Sequence, residues 1–225
     1  DPTPEYAAMF SPDEMPEPIP EVETDTALMS RAFGRSLKKP SSKSWYAFKN
    51  ERMPTREDYL VHRAYYAALI KQIDEEVGAV LAALHDKGIL DNTVVIFASD
   101  HGDYLGDHGL AKKGSFFEGA ARVPMLVRAP WTEGGTDYEG LVSLTDVTAT
   151  ILECADIERP SYMVDTTPLP ALGLTDEPQR ERVGGALRQG WMLVRDRWKL
   201  IKYGGGGDML FDMENDTKKQ HNHAR

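Results

Sequence analysis

An aspartate, a histidine and a lysine follow one short apolar run near the middle of this sequence. Residues 94–98, VVIFA, are rich in β-branched side chains and predict a strand buried on both faces of a parallel sheet. Asp100 and His101 come just after this strand, and Lys113 follows twelve residues after the histidine. Ligands bind at the carboxyl edge of such sheets, and Gly102 allows close backbone approach there. The pattern indicates half of a metal site that hydrolyses an anion.

These three residue types suit the hydrolysis of a charged ester. Such an ester is already anionic, so attack on its central atom needs positive charge that offsets the oxygens in the transition state. Asp100 is a hard oxygen ligand for Ca²⁺ or Mg²⁺, whereas His101 adds a nitrogen more typical of Mn²⁺ or Zn²⁺. Lys113 is a compact point charge that suits a tetrahedral anion. The alternative is that Asp100 and His101 are ordinary turn residues.

The other polar residues of this region are expected to have supporting roles. The spacing of His108, in Gly-Asp-His-Gly, does not place it on a substrate. We therefore expect it to have a structural role or to support the residues that contact the metal or the substrate. Asp103 and Asp107 are expected to be loop and capping residues, and Lys112 to point elsewhere. Cys154, the single cysteine, lies in an apolar helical pattern and predicts a small buried residue, not a nucleophile.

The segment 92–118 closely resembles the sulfatase branch of the alkaline phosphatase superfamily. It contains Ser-Asp-His-Gly, Gly-Asp-His-Gly-Leu and Lys-Gly with Phe-Phe-Glu, and RVPMLVRAP, LVSLTDVTATIL, WKLIKY and LFDMEND follow it. The resemblance implies that Asp100 and His101 bind a divalent cation, Ca²⁺ in preference to Mn²⁺, Mg²⁺ or Zn²⁺. It implies that Lys113 is a catalytic residue that binds the sulfate of a sulfated small molecule or glycan. It also implies cleavage of a sulfate ester by a formylglycine hydrate held on the cation.

The chain does not contain every part of such a site. Sulfatases make formylglycine from the Cys or Ser of a C/S-x-P/A-x-R segment near their amino terminus, and no segment here matches it. Two further metal-binding acids and a histidine of the family also precede the stretch that resembles residues 1–20. We therefore expect a carboxyl-terminal part of a longer enzyme, inactive alone, whose partner is the missing amino-terminal half. The resemblance implies a periplasmic, extracellular or lysosomal enzyme.

Two other functions remain open. A phosphonate or phosphate monoester hydrolase of the same superfamily shares the Asp-His and lysine pattern. The second is a non-catalytic fragment that binds anionic glycans. It is suggested by residues 31–56, which carry eight basic side chains and one acid. The same segment is also explained as a solvated loop that partly neutralises residues 1–25, which carry eight acids and no base.

Composition excludes some classes of protein. The net charge of −10 argues against broad nucleic-acid binding, which needs a basic face. A membrane span needs roughly 18 consecutive apolar residues, and no run in the sequence approaches that length. The proportion of hydrophobic residues, 41%, is enough for a folded core.

Periodicity predicts an α/β protein. We expect a layered mixed, largely parallel sheet flanked by helices and followed by a small antiparallel β subdomain, and the resemblance implies that this architecture is alkaline phosphatase-like. The predicted units are an irregular wrapping segment, the carboxyl-terminal half of the catalytic domain, a linker and the small subdomain, at 1–55, 56–158, 159–181 and 182–225. A long helix is predicted from a capping box of Thr55 and Asp58 to Gly88. Further strands are predicted at 123–127, 141–144, 183–187, 191–195, 198–203 and 209–211, with a helix over about 146–155.

Overall fold

The structure, a computed structural model, describes residues 1–32, 54–178, 180–187, 190–205 and 207–224. Its α-helices are Pro4–Ala7 (α1), Glu23–Ala32 (α2), Arg56–Asp86 (α3), Glu118–Ala121 (α4) and Leu144–Cys154 (α5). Its strands are Val95–Ala98 (β1), Met125–Arg128 (β2), Arg182–Leu187 (β3), Gly190–Arg195 (β4), Trp198–Tyr203 (β5) and Gly207–Asp212 (β6). The basic segment 31–56 falls almost wholly outside the described residues, so the glycan-binding alternative stays a prediction.

The long helix α3 begins and ends as the sequence predicts. The backbone N–H of Thr55 donates to Asp58 Oδ2 at 2.7 Å, and the N–H of Asp58 donates to Thr55 Oγ1 at 3.3 Å, which confirms the capping box. Gly88, with φ of 66°, follows the last turn. In the part of the chain that the structure describes, neither α3 nor any other helix combines the length and hydropathy needed to cross a membrane.

Part of the apolar stripe of α3 is exposed. Apolar residues repeat at helical spacing along the helix, but Ile70, Ile73 and Val80 among them are 54%, 49% and 57% exposed. The buried residues of the helix lie in its first half and are Leu60, Ala64 and Ala68. The described residues therefore leave these three apolar side chains largely uncovered.

The strand before the candidate site pairs differently from the prediction. β1 pairs antiparallel with β2, with Phe97 opposite Leu126, and the described strands form no parallel pair. Burial on both faces was also a wrong prediction, because no residue of β1 is fully buried and Leu126 on β2 is 65% exposed. An apolar run locates a strand, but its neighbours depend on segments distant in sequence.

Helix α5 confirms the helix predicted over about 146–155, but the strand predicted just before it does not form and its cysteine is exposed. The N–H of Ser143 donates to Asp146 Oδ2 at 2.8 Å in a second capping box, so the strand predicted at 141–144 is wrong. Cys154 was predicted to be buried but is exposed. It lines an open apolar groove, the α5 groove, together with Val94, Ile96, Ile151 and Ala155.

The strands predicted near the carboxyl terminus form one antiparallel sheet in the order β3–β4–β5–β6. The predicted turn of Asp196 and Arg197 joins β4 to β5, where Arg195 lies opposite Trp198. The core of this region combines residues of β5 and β6 with residues that follow β1, among them Ile201, Met209, Phe211, Tyr104, Leu110, Phe116 and Phe117. The small sheet therefore packs directly against the segment that carries the candidate site.

Two segments predicted to lack regular structure provide buried anchors. The amino-terminal segment includes α2, whose Met29 is fully buried. The predicted linker includes the short 3-10 helix Pro170–Leu172, where Leu169 and Leu172 pack with Ala129. These segments are rich in proline and charge, so their composition does not reveal the few apolar residues that become buried. The four predicted units and their three boundaries stay predictions.

Candidate functional site

Asp100 and His101 lie just beyond β1 in a loop that presses against helix α4. The N–H of Gly102 donates to the carbonyl of Ala120 at 3.0 Å. A Cβ atom at position 102 would lie 2.1 Å from the carbonyl oxygen of Gly119, so only glycine allows this contact. The side chain of Ser99 donates to the carbonyl of His101 at 2.9 Å. The backbone that carries the aspartate and the histidine is therefore held on both sides.

A pinned loop brings Lys113 back toward His101. Asp103 Oδ1 accepts hydrogen bonds from the N–H groups of Leu105 and Lys112 at 3.0 and 2.9 Å. The N–H of Tyr104 donates to the carbonyl of Lys112 at 2.9 Å. Asp103 thus closes the loop at its base, as expected of a loop residue. Closure places Lys113 beside the end of β1.

The three predicted site residues meet at one point. The Nζ atom of Lys113 donates to Nε2 of His101. The Nδ1 atom of His101 lies 3.0 Å from the carbonyl of Gly102, which accepts a proton but cannot donate one. The hydrogen bond therefore places the ring proton on Nδ1, and the Nε2 lone pair accepts the hydrogen bond from Lys113. Asp100 Oδ2 lies 3.4 Å from the same Nε2 atom.

This donor pair fits part of a cation site. The 3.4 Å between Asp100 Oδ2 and His101 Nε2 matches two ligands at right angles, each at about 2.4 Å from one cation. The Asp100 side chain is 85% exposed, so its carboxylate is accessible. Among the described residues, no group of three or more His, Cys, Asp or Glu side chains is arranged to hold a metal ion. Calcium takes six to eight ligands, so this pair can supply only a fraction of its shell.

His108 is buried and packs against Phe117. Its ring stacks on Phe117 with centroids 4.2 Å apart, and its side chain is buried. Its backbone N–H donates to the carbonyl of Ile19 at 2.8 Å, with φ of 57°. Burial lowers the pKa of His108, and Lys219 lowers it further, while Asp107 opposes the shift. These contacts favour the structural role, although a supporting role at the site stays a prediction.

An arginine on α3, which the sequence did not single out, anchors the same loop. Arg63 Nε donates to the carbonyl of Leu105 at 3.0 Å, and its NH2 group donates to Asp107 Oδ1 at 2.5 Å. Asp107 also accepts the N–H of Ile19 at 2.8 Å, which fits the loop role predicted for it. Arg63 lies on the inner side of an amphipathic helix, where its charge needs a partner. The position of a charged residue on the inner face of the helix is the signal in the sequence that identifies Arg63.

A buried hydroxyl pair holds the other end of the loop. Tyr104 Oη lies 2.7 Å from Ser115 Oγ and accepts the N–H of Ser115 at 3.1 Å. Burial raises the pKa of Tyr104 to about 12, so the tyrosine is neutral. Ser115 lies two residues after Lys113, so this contact limits where the lysine can move.

Comparison with known families agrees with the geometry. The family model described as sulfatase matches residues 20–157. A second model, described as the carboxyl-terminal region of N-sulphoglucosamine sulphohydrolase, matches residues 106–225. The two matches together cover the candidate site and the small antiparallel sheet.

Individual relatives give the same picture over part of their length. The chain is 33% identical to arylsulfatase K of Danio rerio over 183 residues, which are 76% of this chain and 35% of that protein. It therefore spans about a third of the length of this relative.

Two solved structures share the fold. The phosphonate monoester hydrolase SpPMH of Silicibacter pomeroyi is similar with a TM-score of 0.85 at 25% identity, over 99% of this chain and 48% of that one. A structure of BT4656 in complex with its substrate D-glucosamine-2-N,6-O-disulfate has a TM-score of 0.73 at 20% identity, over 99% and 57%. These likenesses confirm the predicted alkaline phosphatase-like fold class.

Proposed function

Because this chain belongs to the sulfatase family, we propose that it supplies the cation-binding and sulfate-binding side of a sulfuric ester hydrolase site. The observation that supports the proposal is the meeting of Asp100, His101 and Lys113 at one point. They bring a carboxylate, an imidazole and an ammonium together in one loop.

Each residue has a distinct part in the proposed reaction. Asp100 and His101 Nε2 would hold a divalent cation, which supplies positive charge against the sulfate oxygens when it is bound. Lys113 would contact sulfate oxygens and stabilise the charge that moves toward the leaving group. The Nδ1–H of His101, bound to the Gly102 carbonyl, keeps Nε2 directed at the site. The nucleophile, a formylglycine, would come from outside this chain.

We propose Ca²⁺ as the cation, with Mn²⁺, Mg²⁺ and Zn²⁺ as alternatives. The exposed carboxylate of Asp100 favours a hard cation that tolerates flexible oxygen coordination. His101 leaves the softer metals open. The remaining ligands would come from the rest of the polypeptide.

The partner of this chain would be the amino-terminal half of the same enzyme. The exposed apolar residues Ile70, Ile73, Val80 and Leu126 form surfaces that a soluble protein normally covers. β1 and β2 form an isolated two-stranded sheet in the described chain, and such a pair is at best marginally stable alone. Additional strands and helices from the other half would satisfy both features. The substrate would be a sulfated small molecule or a sulfated glycan.

A phosphonate or phosphate monoester hydrolase is the second candidate. It is favoured by the likeness to the phosphonate monoester hydrolase of Silicibacter pomeroyi, whose TM-score of 0.85 exceeds the 0.73 of the complex with the sulfated glucosamine. A lysine and a cation that contact a tetrahedral sulfate also suit a tetrahedral phosphonate.

Turnover of paired substrates separates these functions. The longest polypeptide encoded by the gene is assayed with 4-nitrophenyl sulfate and with 4-nitrophenyl phenylphosphonate, with Ca²⁺ and after chelation. We expect faster turnover of the sulfate ester, dependent on the cation. Faster turnover of the phosphonate would assign the second candidate instead, and turnover of neither ester, nor of a panel of sulfated glycans, would contradict both.

The chain by itself is the matched control. We expect no turnover of 4-nitrophenyl sulfate by the purified 225-residue chain, because it has no segment of the C/S-x-P/A-x-R type. Turnover that is lost in a Lys113→Ala variant would contradict the proposal that the nucleophile lies outside it.

A further inference from the structure

One lysine of the small sheet faces the core. Alternate residues of β5 point inward, and Lys199 shares this buried face with Ile201 and Tyr203. Lys199 is 1% exposed, and its ammonium donates to Glu118 Oε1 at 2.6 Å. Burial lowers the pKa of Lys199, while the charge of Glu118 opposes that shift. Glu118 is therefore the partner that makes this burial tolerable.

The partner of Lys199 begins the helix that touches the candidate site. Glu118 is the first residue of α4, and the last turn of α4 accepts the N–H of Gly102 at the carbonyl of Ala120. The backbones of Gly102 and Gly119 approach so closely that no Cβ atom fits between them. α4 thus lies between the small sheet and the loop of Asp100 and His101.

An ion pair at this position fixes the location of α4 more than it stabilises the fold. Desolvation offsets much of the attraction in a buried pair, and an apolar pair of similar volume is often as stable. α4 already has an apolar contact with the sheet, because the rings of Phe117 and Phe211 lie 5.8 Å apart. A charged hydrogen bond has directional geometry, whereas an apolar contact tolerates sliding. The pair of Lys199 and Glu118 therefore fixes where α4 lies along the sheet.

We propose that Lys199 is a positioning residue for the candidate site. By holding Glu118 it fixes α4, and α4 fixes the backbone at Gly102, just after Asp100 and His101. The relevance of this role to sulfate ester hydrolysis rests on the proposed function. The positioning itself is measured independently of activity, at the contact between Gly102 and α4.

The test compares two lysines of the same strand. Lys199→Met removes the buried charge and keeps the length of the side chain. Lys202→Met is the control, because Lys202 lies on the opposite face and pairs with Asp208 at 3.0 Å with both side chains 42% exposed. The double variant Lys199→Met/Glu118→Gln removes both charges, so it avoids a buried unpaired carboxylate if the single variant fails to fold.

Amide hydrogen exchange of the chain measures the local effect. The amide of Gly102 reports on the contact with α4, and the amide of Leu169, which donates to Thr150 Oγ1 at 2.8 Å in the other core cluster, is the internal reference. In Lys199→Met and in the double variant, we expect exchange at Gly102 to accelerate about tenfold or more, with Leu169 nearly unchanged. The ¹⁵N signals of the His101 ring should shift as well. Lys202→Met should leave both amides at their original rates.

Two outcomes would overturn the proposal. Equal acceleration at Gly102 and Leu169 would mean that Lys199 serves global stability alone. Exchange at Gly102 that is unchanged in the double variant would mean that the ion pair does not hold the loop. The proposed function fails separately, if the rate of sulfate ester hydrolysis does not depend on Lys113. That failure would leave the exchange result at Gly102 intact.

Discussion

Replacing Gly102 with alanine tests the packing that presents the candidate site. The new Cβ atom would lie 2.1 Å from the carbonyl oxygen of Gly119, where Cβ contacts under 3.0 Å are essentially never found. The two backbones must therefore separate by roughly 1 Å, which also breaks the 3.0 Å hydrogen bond from Gly102 to Ala120. Overpacking costs about 1 to 3 kcal/mol and the hydrogen bond about 1 kcal/mol, so we expect a loss of about 2 to 4 kcal/mol.

Urea unfolding of the chain measures this loss, and Gly78→Ala is the matched control. Gly78 lies within α3 with no atom near the position of its would-be Cβ. Alanine there should raise the free energy of unfolding by about 0.5 to 1 kcal/mol, because it restricts the unfolded chain and favours the helix. The two substitutions add the same methyl group and should change stability in opposite directions. A Gly102→Ala chain as stable as the wild type would refute the close approach of loop and helix.

Three further results are expected. In the longer enzyme, Lys113→Ala should lower the rate of sulfate ester hydrolysis by about 10² to 10³ with the metal content unchanged, whereas Lys112→Ala should stay near wild type. Asp100→Ala should abolish activity and lower the affinity for Ca²⁺, measured by calorimetry, with partial rescue by excess Ca²⁺; full activity and metal content would contradict its assignment as a ligand. Burial lowers the pKa of His108, so the unfolded chain binds its proton first, and stability that is complete above about pH 6.5 should fall as the pH decreases below that value. His108→Asn should flatten this fall in urea unfolding at pH 7.5 and 5.5 without abolishing it, because burial lowers the pKa of His62 too.

Features that depend on neighbouring residues were predictable from the sequence. The capping box of Thr55 and Asp58 and the turn of Asp196 and Arg197 involve contacts over a few positions, and the structure confirms them. Lys113 was expected at the same site as His101, and the structure brings the two together because Asp103 closes the loop between them. What the three site residues do stays a prediction.

Features that depend on distant partners were not predictable. Both faces of WKLIKY contain a lysine and apolar residues, so its alternation does not say which lysine is buried; only the position of Glu118 places Lys199 inward. The antiparallel partner of β1 was missed for the same reason, because the pairing of Phe97 with Leu126 joins residues 29 positions apart. Periodicity likewise predicted the stripe of α3 containing Ile73 but not whether anything covers it.

The exposed position of Cys154 makes the α5 groove directly observable. It is the single cysteine of the sequence, so a maleimide fluorophore would attach at one place without any substitution. Partial burial raises the pKa of the thiol, so labelling should proceed faster at mildly alkaline pH than at neutral pH. A fluorophore beside Val94 and Ile151 would sense the polarity of its surroundings. Its emission would shift to shorter wavelength when another polypeptide segment excludes water from the groove, which gives assembly of the complete enzyme an optical signal.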